Sequence, residues 1–327
     1  MNATLTAIEV FAQQLKNRTT AVRIVESLSM LLINLSAFAG NLLLGIAVVK
    51  NPNLRTVTNI YIVTLAFSDF LLSLLGIPFT VASLIVGTWP FNNFVCQLQG
   101  FCILLMCAIS LQTLAVTAVN RYFWVLRSRA LYLVWIMALF APLPYVVSGH
   151  EFSFHPAKAF CVYNAESLLK DNEAYLVFVH VAIPMIIIIT CFTSVFMAVR
   201  KYSFRICSRS QPKPSIDECL SVDEQHITYT LLAVVCGFMV CWTPVVVIDM
   251  IDFINADWKL KRQVYVSYTC FAFASASLNP VIYGIMDRSF RAEYARILAS
   301  LKWWSSPSHL KANSDDELKM TTTQRLS

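Results

Sequence analysis

Residues His226–Ile251 read HITYTLLAVVCGFMVCWTPVVVIDMI, and this block decides the fold. Asp249 is its one formally charged residue. As a helix it would run about 39 Å at about 1.5 Å per residue, enough to cross about 30 Å of hydrocarbon. Six further apolar blocks of similar length lie at Ile24–Val49, Asn59–Val86, Val95–Tyr122, Arg129–Ser148, Asn172–Val199 and Gln263–Met286. Each is too long and too poor in alternation to be a barrel strand. Because hydrocarbon offers the backbone no hydrogen-bond partners, a helix bundle is the remaining solution. The predicted fold class is therefore an all-α membrane protein, a seven-transmembrane helix bundle.

Composition agrees with that reading. The 327-residue chain is 57% hydrophobic and 13% charged, with mean hydropathy +0.62. Soluble domains carry about 25% charged residues, so charge here is too sparse to cover a soluble enzyme of this length. No metal-ligand cluster, nucleophile–base arrangement or internal repeat stands out, which argues against an enzyme or a transporter. Lysine and arginine set the orientation. Lys50, Arg55, Arg127, Arg129, Arg200, Lys201, Arg205, Arg209 and Lys213, with Arg288, Arg291, Arg296 and Lys302 after the last span, all fall on one side. That side should be cytoplasmic, with the N-terminus outside, in the plasma membrane. The net charge of +6 then follows from topology and needs no nucleic acid.

The expected domains are an extracellular segment 1–23, a seven-span body 24–286, an amphipathic surface helix 287–302 and a disordered tail 303–327. Asn2-Ala3-Thr4 and Asn17-Arg18-Thr19 match the glycosylation triplet, a pattern that also arises by chance. No cleaved signal peptide is expected from residues 1–16. Cys96 at the outer start of span three and Cys161 in the loop after span four both face the oxidising side, and a disulfide is expected between them. Phe290, Tyr294, Ile297 and Leu301 recur at helical spacing beyond span seven. They give that helix one apolar face, with arginines able to meet anionic headgroups. The serine- and threonine-rich tail could be phosphorylated.

The polar residues inside the spans carry a resemblance. Gly40-Asn41, Leu65-Ala66-Phe67-Ser68-Asp69, Asn120-Arg121-Tyr122, Cys241-Trp242-Thr243-Pro244 and Asn279-Pro280-Val281-Ile282-Tyr283 occur in order, one set per span. Over roughly residues 24–300 the chain resembles rhodopsin-like G-protein-coupled receptors. The resemblance implies a polar chamber in which Asn41, Ser110, Ser275 and Asn279 accompany Asp69, holding either sodium or a water network. It implies that Arg121 reaches Glu224 at rest and engages a heterotrimeric G protein when the bundle opens. Asn120 stands where a carboxylate is common, which weakens that clasp. It also implies that Pro244 and Pro280 kink spans six and seven, with Trp242 beneath the ligand and Tyr283 as a switch. Arrestin and receptor kinases would be further partners, and the bilayer the surroundings.

Two ligand classes are disfavoured by the residues present. Ile103 stands where an amine receptor would have aspartate, and Phe273 where an opsin would have its retinal lysine, so no retinal and no other cofactor is expected. Among such receptors the chain most resembles melatonin receptors. It shares with them Asn120-Arg121-Tyr122, His180 four residues before Pro184-Met185-Ile186-Ile187, and Tyr283-Gly284. Tyr163 would then stack on a flat ligand. Tyr145 and Ala165 stand where melatonin receptors place polar ligand contacts, so another small ligand or a peptide remains open. His180 either touches the ligand or donates to a backbone carbonyl. Asp249 and Asp252 either receive a cationic ligand or are solvated, paired with Lys259 or Lys261. Trp89 reads as a structural wedge.

The cytoplasmic side is anomalous. Trp135 resembles the tryptophan at the middle of span four, and counting back about ten helical residues starts that span near Val125, just after Arg121. The second inner loop is thus unusually short. Phe192 also replaces a usual tyrosine in span five. Both features leave open a coupling-impaired receptor that acts as a binding partner or decoy.

Overall fold

A computed structural model of the chain describes residues 6–123, 130–147, 149, 151–163, 176–207, 216–255 and 258–304. Its spans are α2 (Thr20–Lys50), α3 (Val57–Leu75) with α4 (Ile77–Val86), α5 (Asn93–Phe123), α6 (Ala130–Leu139) with α7 (Leu143–Val147), α8 (Ile183–Cys207), α9 (Ile216–Asn255) and α10 (Arg262–Met286). They are preceded by α1 (Ala7–Lys16) and followed by α11 (Arg288–Trp304). The seven-helix bundle is the fold, and six of its helices are individually long and apolar enough to cross a membrane among the described residues. Its outward faces are apolar, as at Leu32, Ile186, Val240 and Ile285, which are well exposed. Such a surface is stable only against lipid.

Span four departs from expectation. In place of one helix over Arg129–Ser148, α6 ends at Leu139, a turn follows, and α7 is a short second piece. Pro142 and Pro144 lack the N–H that would continue the ladder. The amides of Phe140 and Ala141 bond instead to the carbonyls three residues back, at 3.1 and 3.0 Å. Helix α6 is described from Ala130, and residues 124–129, where the expected start near Val125 and the short loop fall, lie outside the described set. Within the expected extracellular segment 1–23, α1 forms from Ala7 onward. Thr6 and Glu9 form a reciprocal capping box, at 2.8 and 3.4 Å. Phe11 and Leu15, one turn apart, are buried.

The described part of α11 bears out the amphipathic reading. Phe290 and Ile297 are buried, Tyr294 is half-buried, and Arg288, Arg291 and Arg296 are exposed. The Leu301 side chain and the tail lie outside the described set.

Between α2 and α10 the packing is set by one close approach. A Cβ on Gly40 would sit 2.9 Å from Pro280, so glycine is required where the helices touch. Pro280 cannot donate to the Ala276 carbonyl. The Asn41 side-chain amide donates to that carbonyl at 2.9 Å in its place. Adjacent residues therefore give clearance and replace the missing bond.

At the end of the bundle that carries α1, here the upper end, Glu26 of α2 binds both Arg18, at the α1–α2 corner, and Arg262 of α10. Both arginine side chains are buried, and the Glu26 side chain is 10% exposed. Arg18 also donates to the carbonyls of Leu15 and Leu84, at 2.7 and 2.6 Å, stitching α1 to α4. Glu26→Ala would leave two guanidinium groups buried without their carboxylate, which costs about 3–5 kcal/mol. The purified variant is expected to show a clearly lowered melting midpoint, and an unchanged midpoint would overturn this account.

Candidate ligand pocket and polar core

The upper end is roofed by a hairpin, β1 (Phe152–His155) paired antiparallel with β2 (Phe160–Tyr163). The top of α5 fixes it. Cys96 is disulfide-bonded to Cys161, as the sequence led us to expect. The Gln97 side chain both donates to and accepts from the backbone of Phe152, at 2.8 and 2.9 Å. Gln99, fully buried, accepts from the Cys161 amide at 3.0 Å and donates to the Gly76 carbonyl and Thr80 Oγ1 at 2.9 and 3.1 Å. A Cβ on Gly100 would lie 2.3 Å from the Phe152 ring, so the strand rests directly on the helix backbone. Trp89 packs on Phe91 and Phe154, with ring centroids 5.1 and 5.3 Å apart, and acts as the expected wedge.

Beneath the hairpin lies a cavity with about 160 Å³ open to the centres of water-sized molecules. Ile103, Tyr163, His180, Trp242, Asp249 and Phe273, all singled out from sequence, line it together. Tyr145 lies on α7, and its side chain is outside the described set, as are residues 164 and 165. His180 sits in a π-helical turn, Leu176–Ala182, just before Pro184. Such an extra-wide turn re-aims the side chains within it. His180 Nδ1 lies 2.9 Å from Gln112 Nε2, so the ring meets a side-chain amide on α5.

The aspartates have partners that the sequence did not suggest. Asp249 accepts from Lys158 at 3.4 Å and from the Tyr268 hydroxyl at 3.2 Å. Asp252 accepts from the Tyr265 hydroxyl at 2.6 Å. No ion pair to Lys259 or Lys261 occurs among the described residues, because the hairpin brings Lys158 over span six first. Lys158 was missed: a lone lysine in a loop carries no sequence signal until the strands place it.

The polar core below the pocket is smaller than the chamber the resemblance implied. Asp69 Oδ1 accepts from Ser110 at 3.1 Å, and Oδ2 accepts from Asn279 at 2.7 Å. Ser68 joins through Ser110 at 3.1 Å. Asn41 is spent on the Ala37 and Ala276 carbonyls. Ser275 donates to the Ala272 carbonyl at 2.6 Å and accepts from Trp242 Nε1 at 3.2 Å. Trp242 stacks on Phe238, with centroids 5.3 Å apart and planes at 18°. Pocket floor and polar core therefore meet on α10. Asn41 Oδ1 is buried with no hydrogen-bond partner among the described residues, which leaves one more hard oxygen near Pro280.

Toward the lower end, Tyr283 is buried and packs on Phe290 of α11, with centroids 5.6 Å apart. Phe192 is buried in the same apolar cluster. Asn120 and Arg121 are half-buried near the end of α5, and Tyr122 is exposed. The Glu224 side chain falls outside the described set, so the Arg121 clasp does too. Asn2 is likewise outside it, and Asn17 is exposed at the end of α1.

His155 at the hairpin turn touches Phe11, Trp258 and Tyr265, with centroids at 5.8, 4.3 and 5.6 Å. Burial, and then the nearby Lys158 charge, push its pKa down from 6.5 to about 3. The folded state thus keeps His155 neutral where the unfolded chain would protonate it. The stability this contributes is complete above pH 6.5 and is lost as pH falls toward about 3. The melting midpoint should drop between pH ~7 and ~4, and His155→Asn should flatten that slope. Equal slopes in both proteins would remove His155 from the account.

Comparison with known proteins agrees with this architecture. Residues 40–283 match the 7 transmembrane receptor (rhodopsin family). The melatonin receptor type 1A of Phodopus sungorus is 27% identical over 278 residues, 80% of this chain and 76% of that receptor. The human melatonin receptor type 1B is 25% identical, covering 80% of this chain and 75% of its own. The crystal structure of squid rhodopsin superposes with a TM-score of 0.76 at 18% identity, over 95% of each chain.

Proposed function

Because the chain belongs to the rhodopsin family of seven-transmembrane receptors, we propose that it binds a small ligand from outside the cell and activates a heterotrimeric G protein. The roofed upper end is the extracellular one, and the end bearing α11 faces the cytoplasm. This orientation puts the disulfide on the oxidising side and the basic loops inside.

One observation carries the reading. Trp242 forms part of the pocket lining, and its indole N–H bonds Ser275 on the helix whose Asn279 holds Asp69. A ligand that displaces Trp242 disturbs that bond directly. Pro244 lies two residues away inside α9, where the ladder is already interrupted. The lower half of α9 can then swing and uncover Arg121 for the G protein. The mostly apolar cavity, lined by Trp242, Phe273 and Tyr163, suits an aromatic ligand of melatonin's general type, in keeping with the names of the relatives.

A second reading has its own support. Phe192 is buried without a hydroxyl to offer an opened state. A receptor that binds but couples poorly would share every feature of the pocket. G-protein activation in cells separates the two. The coupled reading expects a basal or ligand-driven signal that Arg121→Ala cuts about tenfold or more at equal surface level. A well-displayed protein with no signal would favour the decoy.

We further propose that sodium occupies the Asp69 core. The oxygens of Asp69 and Ser110 are the hard donors such a cation takes. Sodium should raise the melting midpoint of the wild type by linkage and leave Asp69→Asn unmoved. Equal responses in both would remove the site.

A further inference from the structure

The pocket's charged groups point to more than a planar ligand. Lys158 is 8% exposed, and its ammonium lies 4.3 Å from the centroid of the Tyr268 ring. Its backbone is held on both sides: its N–H donates to His155 Nδ1 at 3.1 Å, and its carbonyl accepts from Thr269 at 2.8 Å. The next residue, Ala159, takes φ 58°, the left-handed region that a residue with a Cβ rarely adopts. The Ala159 amide closes the turn on the His155 carbonyl at 2.8 Å. The fold therefore accepts local strain in order to present this one lysine to the cavity.

Once presented, the ammonium is poorly used. It has three donors, and its one hydrogen bond among the described residues is the long 3.4 Å contact to Asp249. Opposite it stand two carboxylates, Asp249 and Asp252, one helical turn apart on α9. A neutral ligand would leave these charges as they are. A ligand acid that captures Lys158 strips Asp249 of its cation, and a lone ligand amine crowds a second positive charge against Lys158. A ligand that brings both an acid and an amine matches both signs of charge in the pocket.

Resting on the receptor reading above, we propose that the ligand is a zwitterion with a flat aromatic body, of the aromatic α-amino acid class. Its carboxylate meets Lys158, its ammonium meets Asp249 and Asp252, and its ring lies over Trp242 and Phe273. Lys158 and Asp252 thereby set specificity.

One indole body in four charge states tests this. L-tryptophan, tryptamine, indole-3-propionate and N-acetyltryptamine are compared for binding to the purified full-length receptor by thermal shift and competition, without G protein. L-tryptophan is expected to bind about tenfold or more tighter than each of the others. Lys158→Met should erase its advantage over tryptamine, Lys158→Arg should restore most of it, and Asp252→Asn should erase its advantage over indole-3-propionate. Best binding by any of the other three, or binding of none, overturns the proposal. The readout needs no coupling, so tryptophan binding without signalling leaves the proposal standing and sinks the signalling reading. A G-protein response to neutral N-acetyltryptamine without tryptophan binding does the reverse.

Discussion

Asn41 donating to the Ala276 carbonyl is the contact on which the bundle's interior turns. In hydrocarbon an unpaired carbonyl costs several kcal/mol, so a proline inside a span needs a substitute donor from a neighbouring helix. Asn41 is that donor for Pro280, and Gly40 lets the two helices come close enough for it to reach. The registry of α2 against α10 follows. With it come the place of Asn279 beside Asp69 and that of Ser275 beneath Trp242. Asn41 thus serves the backbone of span seven, and that is why it does not join the Asp69 core.

The upper end is built by a different logic. A two-stranded hairpin is marginal by itself, so α5 holds it with the disulfide, with two glutamines aimed at strand backbone and with a glycine where Phe152 lies flat. Helix α1 then closes the corner through Phe11 and the Arg18–Glu26–Arg262 ion cluster. This rigid roof gives Lys158 a fixed address over span six. Charge in an apolar cavity is worth arranging only when something arrives to match it.

Much of this was legible beforehand. Block length and the rarity of charge dictate seven spans. Asp69, Trp242 and Asn279 stand out because polar groups in lipid need partners and prolines need substitutes. The capping box of Thr6 and Glu9, with Phe11 and Leu15 one turn apart, is likewise a local helix signal within the extracellular segment. The break in span four follows from Pro142 and Pro144, whose missing donors outweigh the apolar run around them.

What the sequence determined by itself was the number and character of the helices, the disulfide and the set of buried polar residues, because these depend on composition and local chemistry. What only the tertiary structure decided was who partners whom. Asn41 goes to a proline's orphan carbonyl, His180 to Gln112, and Asp249 to Lys158 from 91 positions away. Pairing over such separations depends on how helices cross and where a hairpin comes to rest. Those are set by packing of the whole bundle, which no local stretch of residues encodes.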